Sequence, residues 1–376
     1  MSTVEVAGVG LHPFGRFDDV SITDMGVTAV RAALADAGVG PGGFQAAFCA
    51  TAYGGVASGH KVLGRLGMTG MPIVDVEAGC ASGGAALMLA ASAIRSGEHD
   101  TVVVFGIEKM PKGIIRSSFF EPWQEAGGLA ATPAYFALRA QRLMQTSSVT
   151  KDHLAAVVVK NRRHGAHNPD AMFRSEVDAD AVLASRVVCE PLHLWMLCTP
   201  NEGAAAVVLR AARATDGVRL AAAVLRSHIP GSVLSESTPM AGLAHDSVPT
   251  PSALAANTAY EASGVGPEDL DVVECQDTDA ARELLSYEEL GLCPPGGAAD
   301  LVEQGTTELG GRLPVNPSGG LLSKGEPLGA SALGQVVELV HQLRGDAGAR
   351  QVDGARVALS HTVGRGANAG VVVLTR

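Results

Sequence analysis

Val74-Asp75-Val76-Glu77-Ala78-Gly79-Cys80-Ala81-Ser82-Gly83-Gly84 is an apolar strand that runs into a turn of small residues, then into an Ala/Leu/Met-rich helix ending at Arg95-Ser96-Gly97. The position of Cys80 in that turn gives it two readings. A cysteine at a helix N-terminus sits among backbone N–H groups without intrahelical partners and at the positive end of the dipole, which favours the thiolate. The competing reading is a small buried cysteine that fills a tight strand-to-helix corner.

Working outward, the same architecture recurs. Gly38-Val39-Gly40-Pro41 is followed by Phe44, an apolar strand and Cys49, while Gly264-Val265-Gly266-Pro267 is followed by Leu270, an apolar strand and Cys275, at a constant offset. Each copy comes after an Ala-rich amphipathic stretch, Val27 to Ala37 and Leu254 to Ser263, so both read as helix, Gly-Pro turn and buried strand. The strand, turn and helix at Ile73 to Ile94 are echoed by Leu313 to Leu343, where Asn316-Pro317-Ser318-Gly319-Gly320 precedes a helix from about Ala330. Strands at Thr101 to Gly106 and Arg356 to Ser360 close each copy. Strands alternating with helices at this spacing predict parallel sheets covered by helices, hence a duplicated α/β fold. The expected organisation is an N-terminal half over 1–110, an inserted lid with closing elements over 111–245 and a C-terminal half over 246–376. The middle stretch lacks the repeat and reads as cover for a site.

Composition narrows the function. In 376 residues with 4% aromatics, burial falls to Ala, Val and Leu on closely packed elements. A net charge of −11 argues against a nucleic-acid surface. The exception is Lys160-Asn161-Arg162-Arg163-His164, either a solvated helix face or a grip on a phosphorylated ligand such as coenzyme A. The six cysteines show no metal spacing and predict reduced thiols, no metal and a cytoplasmic location. The opening Val4 to Gly10 reads as a strand, without a secretion signal. The longest apolar run, Ala85 to Ile94, is far short of the ~20 residues that span a bilayer, so no membrane insertion is expected.

The chain resembles the thiolases along nearly its whole length. Glu77-Ala78-Gly79-Cys80-Ala81-Ser82-Gly83 is similar to their nucleophile segment, and Lys160 through Pro169 to the lipid-transfer-protein, or sterol-carrier, branch. Cys198-Thr199-Pro200-Asn201-Glu202-Gly203-Ala204-Ala205-Ala206 resembles a segment that usually carries Asp-Gly before the alanines. Tyr287 to Leu292 and Asn316 to Gly320 add two matches. The resemblance implies the thiolase fold, with duplicated βαβαβαββ halves in five layers, α-β-α-β-α, and an inserted lid. It also implies an acyl thioester of coenzyme A or of an acyl carrier protein as substrate, no separate cofactor, and a homodimer built partly on the strand before Cys80. Acidic surface charge favours free coenzyme A thioesters over an acidic carrier protein.

The departures bear on chemistry. Where thiolases read Gly-His-Pro, this chain has Gly325-Glu326-Pro327. The His-Asp-Cys-Phe segment of the sterol-carrier branch appears as Gln276-Asp277-Thr278-Asp279, without its histidine and acid/base cysteine, and Thr362 of His361-Thr362-Val363-Gly364 stands where other thiolases supply that cysteine. Claisen condensation or thiolysis needs a base at an α-carbon and donors for the enolate oxygen, and the missing groups serve those steps. Gln276 remains able to hold a water, as an Asn does in biosynthetic thiolases. Glu326 as a base starts from about 4.3 rather than the ~6.5 of histidine; protonated by burial, it would instead donate a hydrogen bond. His361, close in sequence to Gly364, is the nearest candidate to pair with Cys80, or a structural residue. The N–H groups of Cys80 and Gly364 are the expected oxyanion hole. Arg163, His164, Asn316, Gly319 and Gly320 are the candidate substrate- and coenzyme A-binding residues.

Three functions are compatible with this set. The first is an acyltransferase or condensing enzyme working through an acyl group on Cys80. The second is a retro-aldol carbon–carbon lyase, resembling lipid-transfer-protein-like relatives that cleave steroid side-chain thioesters beside an OB-fold, zinc-ribbon partner. The third is a non-catalytic acyl-binding subunit of a heteromeric complex.

Overall fold

The computed structural model describes residues 3–113, 115, 122–128, 131–212, 216–229, 248–364 and 368–376. Parts of the expected 111–245 lid, and Arg365-Gly366 beside Gly364, lie outside the described residues.

The sequence repeat becomes two copies of one unit. The first contains β1 (Val4–Gly15), α1 (Ile22–Asp36), β2 (Ala46–Ala50), α2 (Ser58–Arg65), β3 (Ile73–Val76), α3 (Ser82–Arg95) and β4 (Thr101–Lys109). Then come α4 (Pro122–Ala126), α5 (Thr132–Thr146), α6 (Lys151–Ala166), α7 (Ala179–Ala184) and a hairpin of β5 (Val187–Cys189) and β6 (Leu192–His193). After these, β7 (Glu202–Ala211) closes the unit. The second copy has β8 (Arg219–Ser227), α8 (Pro251–Ser263), β9 (Val272–Cys275), α9 (Ala280–Glu289), α10 (Ala298–Glu303), α11 (Gly320–Lys324), α12 (Leu328–Arg344), β10 (Val357–Gly364) and β11 (Asn368–Thr375). Its counterpart of β3 is reduced to a parallel bridge between Val273 and Val315.

These strands form a nine-stranded sheet in the order β3-β2-β4-β7-β1-β8-β11-β10-β9. The order is palindromic in the duplicated elements, and the copies meet at its centre, where Glu5 of β1 pairs with Arg219 of β8. β2 runs parallel to β3 and β4, and β9 parallel to β10, as strands joined by helical crossovers must. The closing pairs β4–β7 and β10–β11 are antiparallel, as are β1–β7 and β8–β11. The sheet is therefore mixed rather than wholly parallel. β11 follows β10 too closely for a crossover, and a short connection permits only the antiparallel arrangement.

Five layers result. Ala86, Leu87, Ala90 and Ile94 of α3 pack with Leu333, Val336 and Val340 of α12 in one core that includes Val104 and Leu209 from the first half and Ala358 and Leu374 from the second. Met25, Ala29 and Ala33 of α1 and Leu63 of α2 cover the outer face of the first half. Ala255, Ala256 and Ala259 of α8 and Leu284 of α9 cover the second. Small residues let these layers approach closely. A Cβ added at Gly10 of β1 would lie 2.3 Å from the Ala29 carbonyl of α1, and one at Gly8 would lie 2.4 Å from that of Ala33. No described helix is long and apolar enough to cross a membrane.

Candidate active site

The turn carrying Cys80 is built by its neighbours. Gly79 takes a φ of +59°, which glycine adopts without penalty, and its N–H donates to the Glu77 carboxylate at 2.8 Å. The Ser82 hydroxyl donates to the Gly79 carbonyl at 2.6 Å and accepts from the Ala78 N–H at 2.8 Å, clasping the turn from the first residue of α3. Cys80 thus stands one residue ahead of the N-cap, Ala81. It is buried against Met110, Ile115 and Leu328.

Glu326 occupies the equivalent place in the second copy, immediately before Pro327, the N-cap of α12. A strand-like segment holds it there: the Glu326 N–H donates to the Thr199 carbonyl at 2.9 Å, and Pro200 and Glu326 form a parallel bridge. Gly325, at φ +84°, leaves the space that the Asn201 side chain fills as it donates to the Lys324 carbonyl at 2.7 Å. The carboxylate is gripped from both sides. Gln276 Nε2 donates to Oε1 at 3.0 Å, and the Cys198 thiol donates to Oε2 at 3.3 Å. Burial, and after it the Glu326 carboxylate, push the Cys198 thiol well above its ordinary value, so it remains a hydrogen-bond donor at neutral pH.

Cys80, Cys198, Gln276, Thr278 and Glu326 line one cavity of about 550 Å³. The segment from Gln276 to Asp279 alternates its side chains. Gln276 and Thr278 face the cavity, Asp277 turns into the protein, and Asp279 caps α9 by accepting from the Arg282 N–H at 3.0 Å. The Asp279 carboxylate also pairs with Arg139 of α5. The intervening region supplies much of the remaining wall, including Thr132, Phe136, Phe173, Leu194 and Trp195.

Gln276, expected to hold a water, has its amide engaged at both ends, accepting from the Val363 N–H and donating to Glu326. Its first role is to hold Glu326 against the end of β10. Gly364 does reach the Cys80 turn, since a Cβ there would lie 2.1 Å from the Ala78 carbonyl. The structure keeps the other candidates away from the cavity lining. His361 lies two residues deeper along β10 than the lining residue Val363, roughly 7 Å down the strand. Its Nε2 pairs with the Ser252 hydroxyl of α8 at 2.9 Å. Burial, then the Arg282 charge, hold its imidazole well below the ordinary value, so it is a neutral core residue.

Arg163 and His164 likewise stand off the cavity lining, the first on the surface and the second in the interior. Arg163 reaches Glu308 at 3.3 Å, while both ring nitrogens of buried His164 are used, by the Asn316 carbonyl and the Leu309 N–H, each at 3.0 Å. Asn316, Gly319 and Gly320 enclose a buried polar knot. Asn316 accepts from the Cys275 N–H at 2.9 Å and donates to Glu283 at 2.7 Å, and Lys160 pairs with the same Glu283. A Cβ at Gly319 would meet the Gly165 Cα at 2.6 Å, and one at Gly320 would strike the Asp277 carboxylate. In place of Arg163, it is Arg162 that lines the cavity. Leu154, Val158 and Arg162 fall at i, i+4 and i+8 on the buried face of α6, a periodicity that distinguishes Arg162 from its neighbour. Cys198 and Arg16 also line the cavity without having been singled out; a cysteine inside a family-like segment was the available signal for the first.

Comparison with known proteins agrees with this fold. The family model described as "Thiolase, N-terminal domain" matches residues 4–213, and "Thiolase C-terminal domain-like" matches 235–376. The chain is 36% identical to sterol carrier protein 2 of Bos taurus over 396 residues, covering 99% of this chain and 71% of that protein. It is also 36% identical to the benzoylsuccinyl-CoA thiolase subunit BbsB of Thauera aromatica, covering 97% and 96%. Among solved structures, the Ltp2-ChsH2(DUF35) aldolase superposes with a TM-score of 0.88 at 25% identity, covering 99% of this chain and 98% of that one.

Proposed function

The chain belongs to the thiolase family, and from that premise we propose that it is an acyltransferase or condensing enzyme acting on a coenzyme A thioester through an acyl group carried on Cys80. The supporting observation is that Cys80 and Glu326, each placed just ahead of a central helix, line the same cavity, with the carboxylate clamped by Gln276 and Cys198. Cys80 attacks the thioester carbonyl and gives its proton to the Glu326 carboxylate. The tetrahedral oxyanion is held by the Cys80 and Gly364 N–H groups. Its collapse breaks the carbon–sulfur bond to coenzyme A, whose sulfur leaves with that proton. An incoming nucleophile then attacks the acyl carbonyl, Glu326 accepting its proton, and the acyl–Cys80 bond breaks with that proton returned to the Cys80 thiolate.

The test is intact-protein mass spectrometry after incubation with a panel of acyl-CoA thioesters. A mass gain equal to the acyl group in wild type, absent in Cys80→Ala, supports the proposal; an adduct that persists in the variant sinks it. The similarity to the Ltp2-ChsH2(DUF35) aldolase favours a second reading, in which Glu326 takes the proton of a β-hydroxy group and a carbon–carbon bond breaks, with a DUF35-type partner seated beside the chain. Full lyase activity of Cys80→Ala on a β-hydroxyacyl thioester would select that reading. Absence of both adduct and turnover, with and without such a partner, would leave an acyl-binding subunit.

A further inference from the structure

Five Lys or Arg residues are buried among the described residues: Arg139, Lys160, Arg162, Arg282 and Lys324. Four are neutralised by a carboxylate, in the pairs Arg139–Asp279, Lys160–Glu283, Arg282–Glu289 and Lys324–Glu274. Arg162 is the exception. It is 8% exposed, and its Nε is buried without a hydrogen-bond partner. Its guanidinium lies 4.2 Å from the centroid of the Phe173 ring, which fixes its plane without neutralising its charge. Burial lowers its proton affinity, yet an arginine stays charged at any physiological pH. An unpaired buried cation is costly to a fold, and this one stands on the wall of the cavity that contains Cys80 and Glu326.

The missing anion can come from a ligand. Two parts of an acyl-CoA could supply it: the phosphates of the nucleotide, or a carboxylate on the acyl chain. The nucleotide is large and multiply charged and belongs at the cavity mouth, where Arg186 and Leu194 are exposed. Arg162 instead emerges from the buried face of α6, between Asn161 and His164, whose side chains are held in the interior polar framework. The walls that accompany it, Phe136, Phe173, Trp195 and Leu197, suit a short carbon chain. Resting on the thioester reading above, we propose that Arg162 is a carboxylate-binding subsite and that the preferred acyl group is the monothioester of a dicarboxylic acid, its free carboxylate meeting the guanidinium.

The experiment measures binding by calorimetry in a Cys80→Ala background, so that no acyl transfer intervenes. Succinyl-, glutaryl- and adipyl-CoA are compared with butyryl-, valeryl- and hexanoyl-CoA, which match them in carbon number. One dicarboxylyl thioester is expected to bind about 10- to 100-fold more tightly than its counterpart, the range for a buried charge-assisted hydrogen bond. Arg162→Met should bring the two series to parity while leaving the neutral series unchanged. The same substitution is expected to raise the melting temperature, because it replaces an unpaired buried charge with an apolar side chain. Equal binding of the two series to the Arg162 protein, or an equal loss in both on substitution, overturns the carboxylate assignment alone; the latter result points to the nucleotide phosphates. A fall in melting temperature overturns it too, by assigning Arg162 to the framework. Failure of every thioester to bind a folded protein removes the thioester reading and this inference together.

Discussion

At the residue scale, the site depends on how Glu326 is held. Gln276 and Cys198 both donate to it, so its two oxygens are oriented before any substrate arrives. If Glu326 is the proton acceptor proposed above, Glu326→Gln keeps the shape but removes it, and steady-state turnover is expected to fall by about 10²- to 10⁴-fold with little change in melting temperature. Turnover within about threefold of wild type would deprive Glu326 of its assigned role. His361 offers a separate check on stability. The unfolded imidazole takes a proton near pH ~6.5, whereas in the folded protein burial and Arg282 keep it neutral to much lower pH. The unfolded state therefore binds more protons as pH falls below that value, and His361 lowers stability there, with a slope approaching about 1.4 kcal/mol per pH unit. Denaturant titrations of wild type and His361→Gln between pH 7.5 and pH 5, on the order of that ~6.5 midpoint, should converge as the pH drops; a constant gap between them contradicts the assignment. The placement of Cys80, Gln276 and Glu326 on one cavity was legible from the sequence because each lies in a segment that aligns with a family motif. His361 was not, because closeness in sequence along a strand does not tell which depth of that strand meets the cavity. Arg163 was favoured over Arg162 for a similar reason: the rotation of a helix decides which of two adjacent arginines faces inward.

At the scale of elements, the helices and strands of the repeat followed from apolar periodicity and Gly-Pro turns. α1 and α8 begin a few residues earlier than the periodicity suggested, capped by Ser21 and Thr250, which accept from the Asp24 and Ala253 N–H groups. Strand direction was less accessible, because an apolar run reads alike in either direction and the connection decides the pairing. The wall between α6 and β7 was not readable, since its conformation comes from contacts with the second half, such as the Cys198 N–H donating to the Thr278 carbonyl at 2.9 Å. The close approach of β1 to α1 makes a direct test. Gly10→Ala would set a Cβ 2.3 Å from the Ala29 carbonyl and 2.4 Å from the Ala33 nitrogen, forcing α1 away from the sheet. A loss of about 1–3 kcal/mol in chemical denaturation is expected, the range for overpacking in a tight interior. An unchanged midpoint would mean that the two elements separate without cost.

At the scale of the whole molecule, the halves share one core rather than leaning on each other across a surface. α3 and α12 pack together between them, and Leu209 and Leu374 belong to the same apolar cluster. Removing either half would strip both central helices of a covering layer. Calorimetry should accordingly give a single cooperative transition, and the fragment 1–212 alone should show no cooperative melting. Two resolved transitions, or a folded fragment, would establish independent halves.

The duplication also places two different side chains on equivalent mounts. Cys80 and Glu326 sit at the same address in two copies of one motif, each a single residue before the cap of a central helix. Two mounts of the same build can be altered one at a time. The first can keep its thiol while the second trades one acid or base for another, with neither loop needing to be rebuilt. For an engineer, position 326 is thus a single exchangeable socket: histidine, tyrosine or glutamine enters it by one codon, opposite an untouched Cys80.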